Sequence, residues 1–106
     1  QVESMKEIKV GVKVKNIDKI CRELLGEEEK SFTHSYGHGV GLEIHEAPNL
    51  SGRSKEILLE NEVVTSEPGL YYEGKFGIRI EDLVIVKKDG CEVLSNTPKE
   101  LIIIKS

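Results

Sequence analysis

The hydrophobic period of this chain changes once, from helical to strand-like, and that change limits the fold more than any other feature. In KNIDKICRELLG, residues 15–26, Ile17, Ile20, Cys21, Leu24 and Leu25 follow the i, i+3, i+4, i+7, i+8 spacing of one buried helical stripe. Asn16 is the expected N-cap, because its side chain accepts from amides left free in the first turn. Gly26 is placed to supply the left-handed residue that ends the helix. A shorter helix is expected over residues 2–9, ahead of Gly11. Beyond Phe32 the pattern becomes that of strands. LEIHE alternates, VVTSE is β-branched, IRIEDLVIV is a long run with period-two features, and CEVL and LIII read as two more. KKDG at 87–90 predicts a hairpin turn, with Gly90 at a position of positive φ. Helices first and antiparallel strands after predict the α+β class.

Size and charge exclude several functions. A chain of 106 residues fits one domain with a modest core, burying roughly 60–65% of its unfolded surface. The net charge of -4, with no basic block, argues against nucleic acid as a partner, since that partner calls for clustered Lys and Arg on phosphates. No apolar run approaches the roughly 20 residues that span a bilayer, so no membrane partner is expected, and no secretory signal pattern is visible. Cys21 and Cys91 form no CxxC pair and read as two buried thiols in a reducing compartment, giving a cytoplasmic expectation. The first residue is Gln1 rather than Met, which suggests a processed product or a piece of something longer.

All three histidines fall within HSYGHGVGLEIHEAP, residues 34–48. GHGVG at 37–41 is neither GxGxxG nor GxxxxGK[ST], and no helix signal follows it, so a phosphate loop is not expected. Glycines flanking His38 instead allow the backbone to kink and pack closely beside the imidazole. His38 and His45 are seven apart, which on one regular strand points them to opposite faces; Gly39 and Gly41 mark where that regularity can break. HEAPN is not the HExxH zinc motif, because Asn49 stands where the second histidine is needed.

Two glutamates complete the pattern. Glu67 precedes Pro68, which holds it extended. Glu81 lies in RIEDLVIV, where Arg79 and Glu81 share a strand face with Leu83 and Ile85 if the run is one core strand. Burying such charges is costly unless they are paired or bind a metal. An imidazole with carboxylates suits divalent Zn, Mn, Fe or Co. From the residues alone two readings stay open: a His/Glu metal site, or a buried Arg79–Glu81 ion pair beside structural histidines. A solvated Glu81 on an edge strand is the plainer alternative.

HSYGHGVGLEIHEAP, followed by TSEPGLYY and then GIRIED, resembles the carboxy-terminal half of the pita-bread-fold metallopeptidases. The likeness is closest to the Xaa-Pro dipeptidase (prolidase) and aminopeptidase P branch, and it extends to GVKVKNIDKICRELL before these motifs and KKDGCEVLS after them. Methionine aminopeptidases share the histidine motifs but not the pairing of EPGLYY with RIED. The resemblance implies an antiparallel curved sheet with helices on one face, and two divalent metal ions (Mn, Co, Zn or Fe) in the intact enzyme. It implies His38, Glu67 and Glu81 as metal ligands, with Glu81 bridging and Glu67 also transferring a proton. His45 and His34 correspond to histidines that contact the substrate or its tetrahedral intermediate, His45 thereby counting as catalytic with Glu67, and Arg79 to an arginine beside the bridging glutamate that helps bind substrate.

One departure is large. The family's site takes two further aspartates from an upstream strand pair, whereas only Asp18, within the expected helix, precedes His38. Residues 1–106 are therefore expected to be the carboxy-terminal portion of a catalytic domain whose amino-terminal part is absent, inactive alone and a poor metal binder. Crowded carboxylates without a cation repel, so Glu67 and Glu81 are expected to titrate abnormally or splay apart. The implied partners are a proline-containing peptide and the missing amino-terminal half of the polypeptide, with a homodimer also compatible. The alternatives to an Xaa-Pro peptidase are a non-catalytic pita-bread binding protein, a methionine aminopeptidase-like enzyme, and a free-standing mononuclear site on the same three side chains.

Overall fold

In the computed structural model, which describes residues 1–105, a short helix α1 (Val2–Met5) precedes the main helix α2 (Val14–Leu25). α1 stops well before the expected residue 9. The chain turns at Lys6 and Glu7, buries Ile8 completely, and is redirected at Gly11, whose φ is 86°. α2 begins earlier than Asn16. Lys13 is its N-cap, held in extended backbone by a bridge to Ile57, so Asn16 lies inside the first turn. Its buried positions are Val14, Ile17, Asp18 and Cys21, while Leu24 is 60% exposed, so the buried stripe is rotated from the expected one. Gly26 does end the helix, at φ 59°, and a 3-10 helix (Gly26–Ser31) follows.

Seven strands come next: β1 (Gly37–Gly39), β2 (Glu46–Leu50), β3 (Val63–Ser66), β4 (Gly69–Tyr72), β5 (Phe76–Arg79), β6 (Asp82–Lys87) and β7 (Gly90–Val93). Five form an antiparallel sheet in the order β2-β1-β3-β6-β7, and β4 and β5 form a separate antiparallel hairpin. The α+β class is borne out. The core lies between α2 and this sheet, where Ile17, Cys21, Leu50, Val64, Val84 and Val86 are at most 3% exposed.

Four expectations about the strands need correcting. LEIHE is not a strand: residues 41–45 bend outward, with Leu42 and Ile44 exposed, and pairing starts only at Glu46. IRIEDLVIV is two strands, not one, because the chain leaves β5 at Arg79 and enters β6 at Asp82. The core-facing side of β6 carries Asp82, Val84 and Val86, so Arg79 and Glu81 do not share a buried face with Leu83 and Ile85. The hairpin between β6 and β7 is present, but Gly90 has no positive φ; it pairs with Lys87 at the first rung. LIII at 101–104 has no strand partner among the described residues and is exposed. The two cysteines are free thiols, as expected, and burial pushes both above their ordinary pKa; Cys91 is only partly covered.

One buried polar cluster is bonded internally. Tyr36 is fully buried, its hydroxyl shared with Ser66 at 2.5 Å and accepting from Ser4 at 3.1 Å. Burial drives that phenol's pKa up to about 12.

Candidate metal centre

The site is built by two close backbone approaches. A Cβ on Gly37 would fall 1.9 Å from the Thr65 carbonyl oxygen, and one on Gly39 would fall 2.0 Å from that of Ala47. Only glycine lets β1 press between β2 and β3 at this spacing. The register of β1 against β2 slips between His38 and Gly39, as the glycine spacing led us to expect. Two cross-links then fix β1 against the end of β3: the Glu67 amide donates to the Tyr36 carbonyl at 2.9 Å, and the His38 amide donates to Thr65 Oγ1 at 3.0 Å. His38 and Glu67 are thereby neighbours in space although 29 residues apart (67 − 38).

His38 Nε2 lies 3.3 Å from Glu67 Oε2, with side chains only 17% and 13% exposed. Its other nitrogen, Nδ1, is 2.8 Å from the Gly39 carbonyl oxygen. A carbonyl only accepts, so Nδ1 carries the proton and a neutral ring turns the Nε2 lone pair toward the carboxylate. Glu67 Oε2 is buried without a hydrogen-bond partner. Two acceptors facing each other in a dry place repel unless a proton or cation sits between them. A separation of 3.3 Å would let both atoms reach one ion at ordinary metal–ligand bond lengths of roughly 2.0–2.2 Å. A histidine that donates its second N–H to a carbonyl is also the usual arrangement of a metal ligand. The residues present therefore fit part of a metal shell.

Glu81 stands beside this pair but is less enclosed. Desolvation, then the charge of Glu67 and a hydrogen bond to it, push its pKa above the ordinary 4.5, while Arg79 and His38 pull it down. That agrees with the expected abnormal titration at Glu81. Its Oε1 is 3.8 Å from Arg79 Nε, with the side chains 45% and 51% exposed, so this is a solvent-facing ion pair and not the buried one considered from sequence. Among the described residues no group of three His, Cys, Asp or Glu side chains closes around a common point tightly enough to hold an ion.

The histidines divide into three roles. His38 faces Glu67; His45 is exposed and stacks edge-on to it at 4.4 Å between ring centroids, so the register slip does bring the two to one side. His34 sits farther along the wall, bonded through Nε2 to the Tyr71 hydroxyl at 2.8 Å and through Nδ1 to the Ser35 carbonyl at 2.7 Å. A cleft of about 650 Å³ is lined by His34, His38, His45, Glu67 and Arg79 together; Glu81 is not on its wall. His38 and Glu67 could furnish two ligands of a divalent cation.

Two contributors were missed in the sequence. Tyr71 was read only as part of a motif; its signal is an aromatic residue with Gly69 two before it and Gly77 opposite it. Arg22 was not singled out, yet it reaches Asp18 at 2.8 Å, Glu29 at 2.9 Å, and the Phe32 and His34 carbonyls at 2.9 Å, with its guanidinium 4.2 Å over the Phe32 ring. No local pattern announces a contact made twelve residues away (34 − 22).

Comparison with known proteins supplies the frame. The model of metallopeptidase family M24 matches residues 1–88. An uncharacterized peptidase of Methanocaldococcus jannaschii is 54% identical over 92 residues, which are 83% of this chain and 26% of that protein. The crystal structure of an X-Pro aminopeptidase from Thermotoga maritima superposes with a TM-score of 0.90 at 46% identity, covering 95% of this chain and 29% of that one. An Xaa-Pro dipeptidase from Bacillus anthracis gives 0.93 at 44%, covering 97% and 30%. These likenesses bear out the expected pita-bread half-fold. The chain spans less than a third of the length of these relatives.

Proposed function

The chain belongs to metallopeptidase family M24, and from that premise we propose that it is the carboxy-terminal, ligand-bearing part of a two-metal exopeptidase that cleaves Xaa-Pro bonds. The observation that carries this reading is the 3.3 Å approach of His38 Nε2 to Glu67 Oε2, a buried oxygen without a hydrogen-bond partner, at the head of an open cleft. His38, Glu67 and Glu81 hold the metal, with the remaining ligands coming from preceding polypeptide. Two divalent ions (Mn, Co, Zn or Fe), when bound, supply Lewis acidity and an acidified water. Glu67 takes the proton of the attacking water at its carboxylate and returns it to the departing proline nitrogen. His45, exposed at the cleft mouth, donates to oxygen on the substrate as charge develops there. Arg79 steadies Glu81, and with His34 lines the surface on which a proline-containing peptide lies. The free thiols suit a reducing compartment such as the cytoplasm. The amino-terminal half of the same domain is the obligatory partner, and a second copy of the whole protein is a further one. Among the described residues no helix is long and apolar enough to cross a membrane.

Calorimetric titration of this chain with Mn²⁺ or Co²⁺ tests the reading. Weak binding of one ion is expected. His38→Ala should reduce the affinity by more than the roughly 10–100-fold that losing an outer-shell partner costs. Tight binding of two ions by the chain alone would overturn the reading that it is part of a larger site, and affinity unchanged in His38→Ala would overturn the ligand assignment. In the complete peptidase, His38→Ala should lose metal and turnover together.

A further inference from the structure

We propose that Tyr71 is a positioning residue that fixes the tautomer and orientation of His34 on the cleft wall. The hydrogen-bond directions follow from the atoms. His34 Nδ1 lies 2.7 Å from the Ser35 carbonyl oxygen, which can only accept, so Nδ1 carries the proton. The neutral ring then offers Nε2 as an acceptor, and the Tyr71 hydroxyl at 2.8 Å must donate to it. The result is a directed chain from Tyr71 on β4 to His34 in the loop before β1, and on to the Ser35 carbonyl.

The hairpin is shaped for this tyrosine. A Cβ on Gly69 would lie 2.6 Å from the Tyr71 hydroxyl oxygen and 2.9 Å from Cζ; one on Gly77, the residue directly opposite, would lie 2.7 Å from Cδ1. With both positions bare, the ring lies along the hairpin and its hydroxyl reaches the neighbouring wall. Any side chain at either glycine would push the ring away. His34 is held from its other side by Phe32, edge-on at 5.0 Å and 79°, while Tyr71 sits at 5.4 Å. Both nitrogens of His34 are thus committed, unlike those of His45, which has no hydrogen-bond partner among the described residues.

That His34 faces a substrate rests on the peptidase reading above; the relay itself does not. The test is a long-range proton–nitrogen NMR spectrum of the histidine rings in the full chain, unsubstituted and as Tyr71→Phe, which keeps the ring over the two glycines. In the unsubstituted chain His34 should be protonated at Nδ1, with Nε2 shifted as a hydrogen-bond acceptor. In Tyr71→Phe that Nε2 shift should be lost and the other tautomer populated, with the His38 resonances unchanged. A His34 protonated at Nε2 in the unsubstituted chain, or a His34 spectrum identical in the two proteins, would overturn the proposal. In the complete peptidase, Tyr71→Phe should raise KM roughly tenfold with kcat little changed, as expected for one lost hydrogen bond outside the reacting atoms. If the peptidase reading fails, turnover is absent in both proteins while the spectra still report the relay.

Discussion

Glu81 and Glu67 show how two residues of one type divide their work by surroundings. Glu67 is the enclosed one, its backbone tied to Tyr36 and its carboxylate turned to His38. Glu81 is half exposed and shares itself between Glu67 and Arg79. Because burial and the Glu67 charge raise its pKa in the folded state, the fold holds that proton more tightly than the unfolded chain does. Its contribution to stability is complete below the ordinary value of 4.5 and is lost as pH rises through the raised one. The metal-free Glu81→Gln variant should therefore melt at the same temperature as the unsubstituted chain near pH 4 and progressively higher than it toward neutrality. Parallel melting curves across that range would show that Glu81 is not strained by its neighbours. Excess Mn²⁺ should narrow the difference, since a cation favours the ionised carboxylate.

Among elements, α2 and the segment after it depend on Arg22. Asp18 is 4% exposed at its side chain and would be an isolated buried charge without the guanidinium. The same fork holds the Phe32 and His34 carbonyls, and so sets where the chain enters β1. Arg22→Ala should cost about 2–3 kcal/mol in chemical denaturation, the low side of breaking a buried ion pair, because Arg22 keeps part of its side chain in water. Arg22→Lys should recover little of this, since a single ammonium cannot serve four acceptors in one plane. The existence of α2, β3, β6 and β7 was legible from periodicity. The hairpin β4–β5 was not: GLYYEGKFGIR has a turn glycine, Gly74 at φ 75°, but its run into EDLVIV hid the break at residues 80–81. Nothing local marks that break; it follows from Ile80 bonding back to the Pro68 carbonyl at 3.3 Å and accepting from the Gln1 side chain at 3.2 Å.

At the scale of the molecule, the apolar surface is unevenly covered. Leu42, Ile44, Phe76 and residues 101–104 are exposed, whereas the face between α2 and the five-stranded sheet is closed. The tail after Lys99 is held chiefly by that lysine, 3.0 Å from the buried Asp82 carboxylate. Removing residues 101–106 should change the unfolding free energy by less than about 0.5 kcal/mol, as for surface positions without specific contacts. Lys99→Ala should cost more, because Asp82, 2% exposed, then loses its counter-charge. A truncation that melts much earlier than the full chain would show that the tail packs against it.

The sequence alone determined the class of fold, the main helix and its end, and which histidine and glutamates to watch. These depend on local rules: spacing of apolar residues, the conformational freedom of glycine, and the chemistry of imidazole and carboxylate. Only the tertiary structure decided that His38 and Glu67 face each other with little exposure while Glu81 and Arg79 stay half in water. The reason is that burial and mutual distance are set by contacts between segments far apart in the chain. The cross-links from Tyr36 and Thr65, the bare glycines under Tyr71, and the reach of Arg22 all act across such distances, where no periodicity in the sequence can register them.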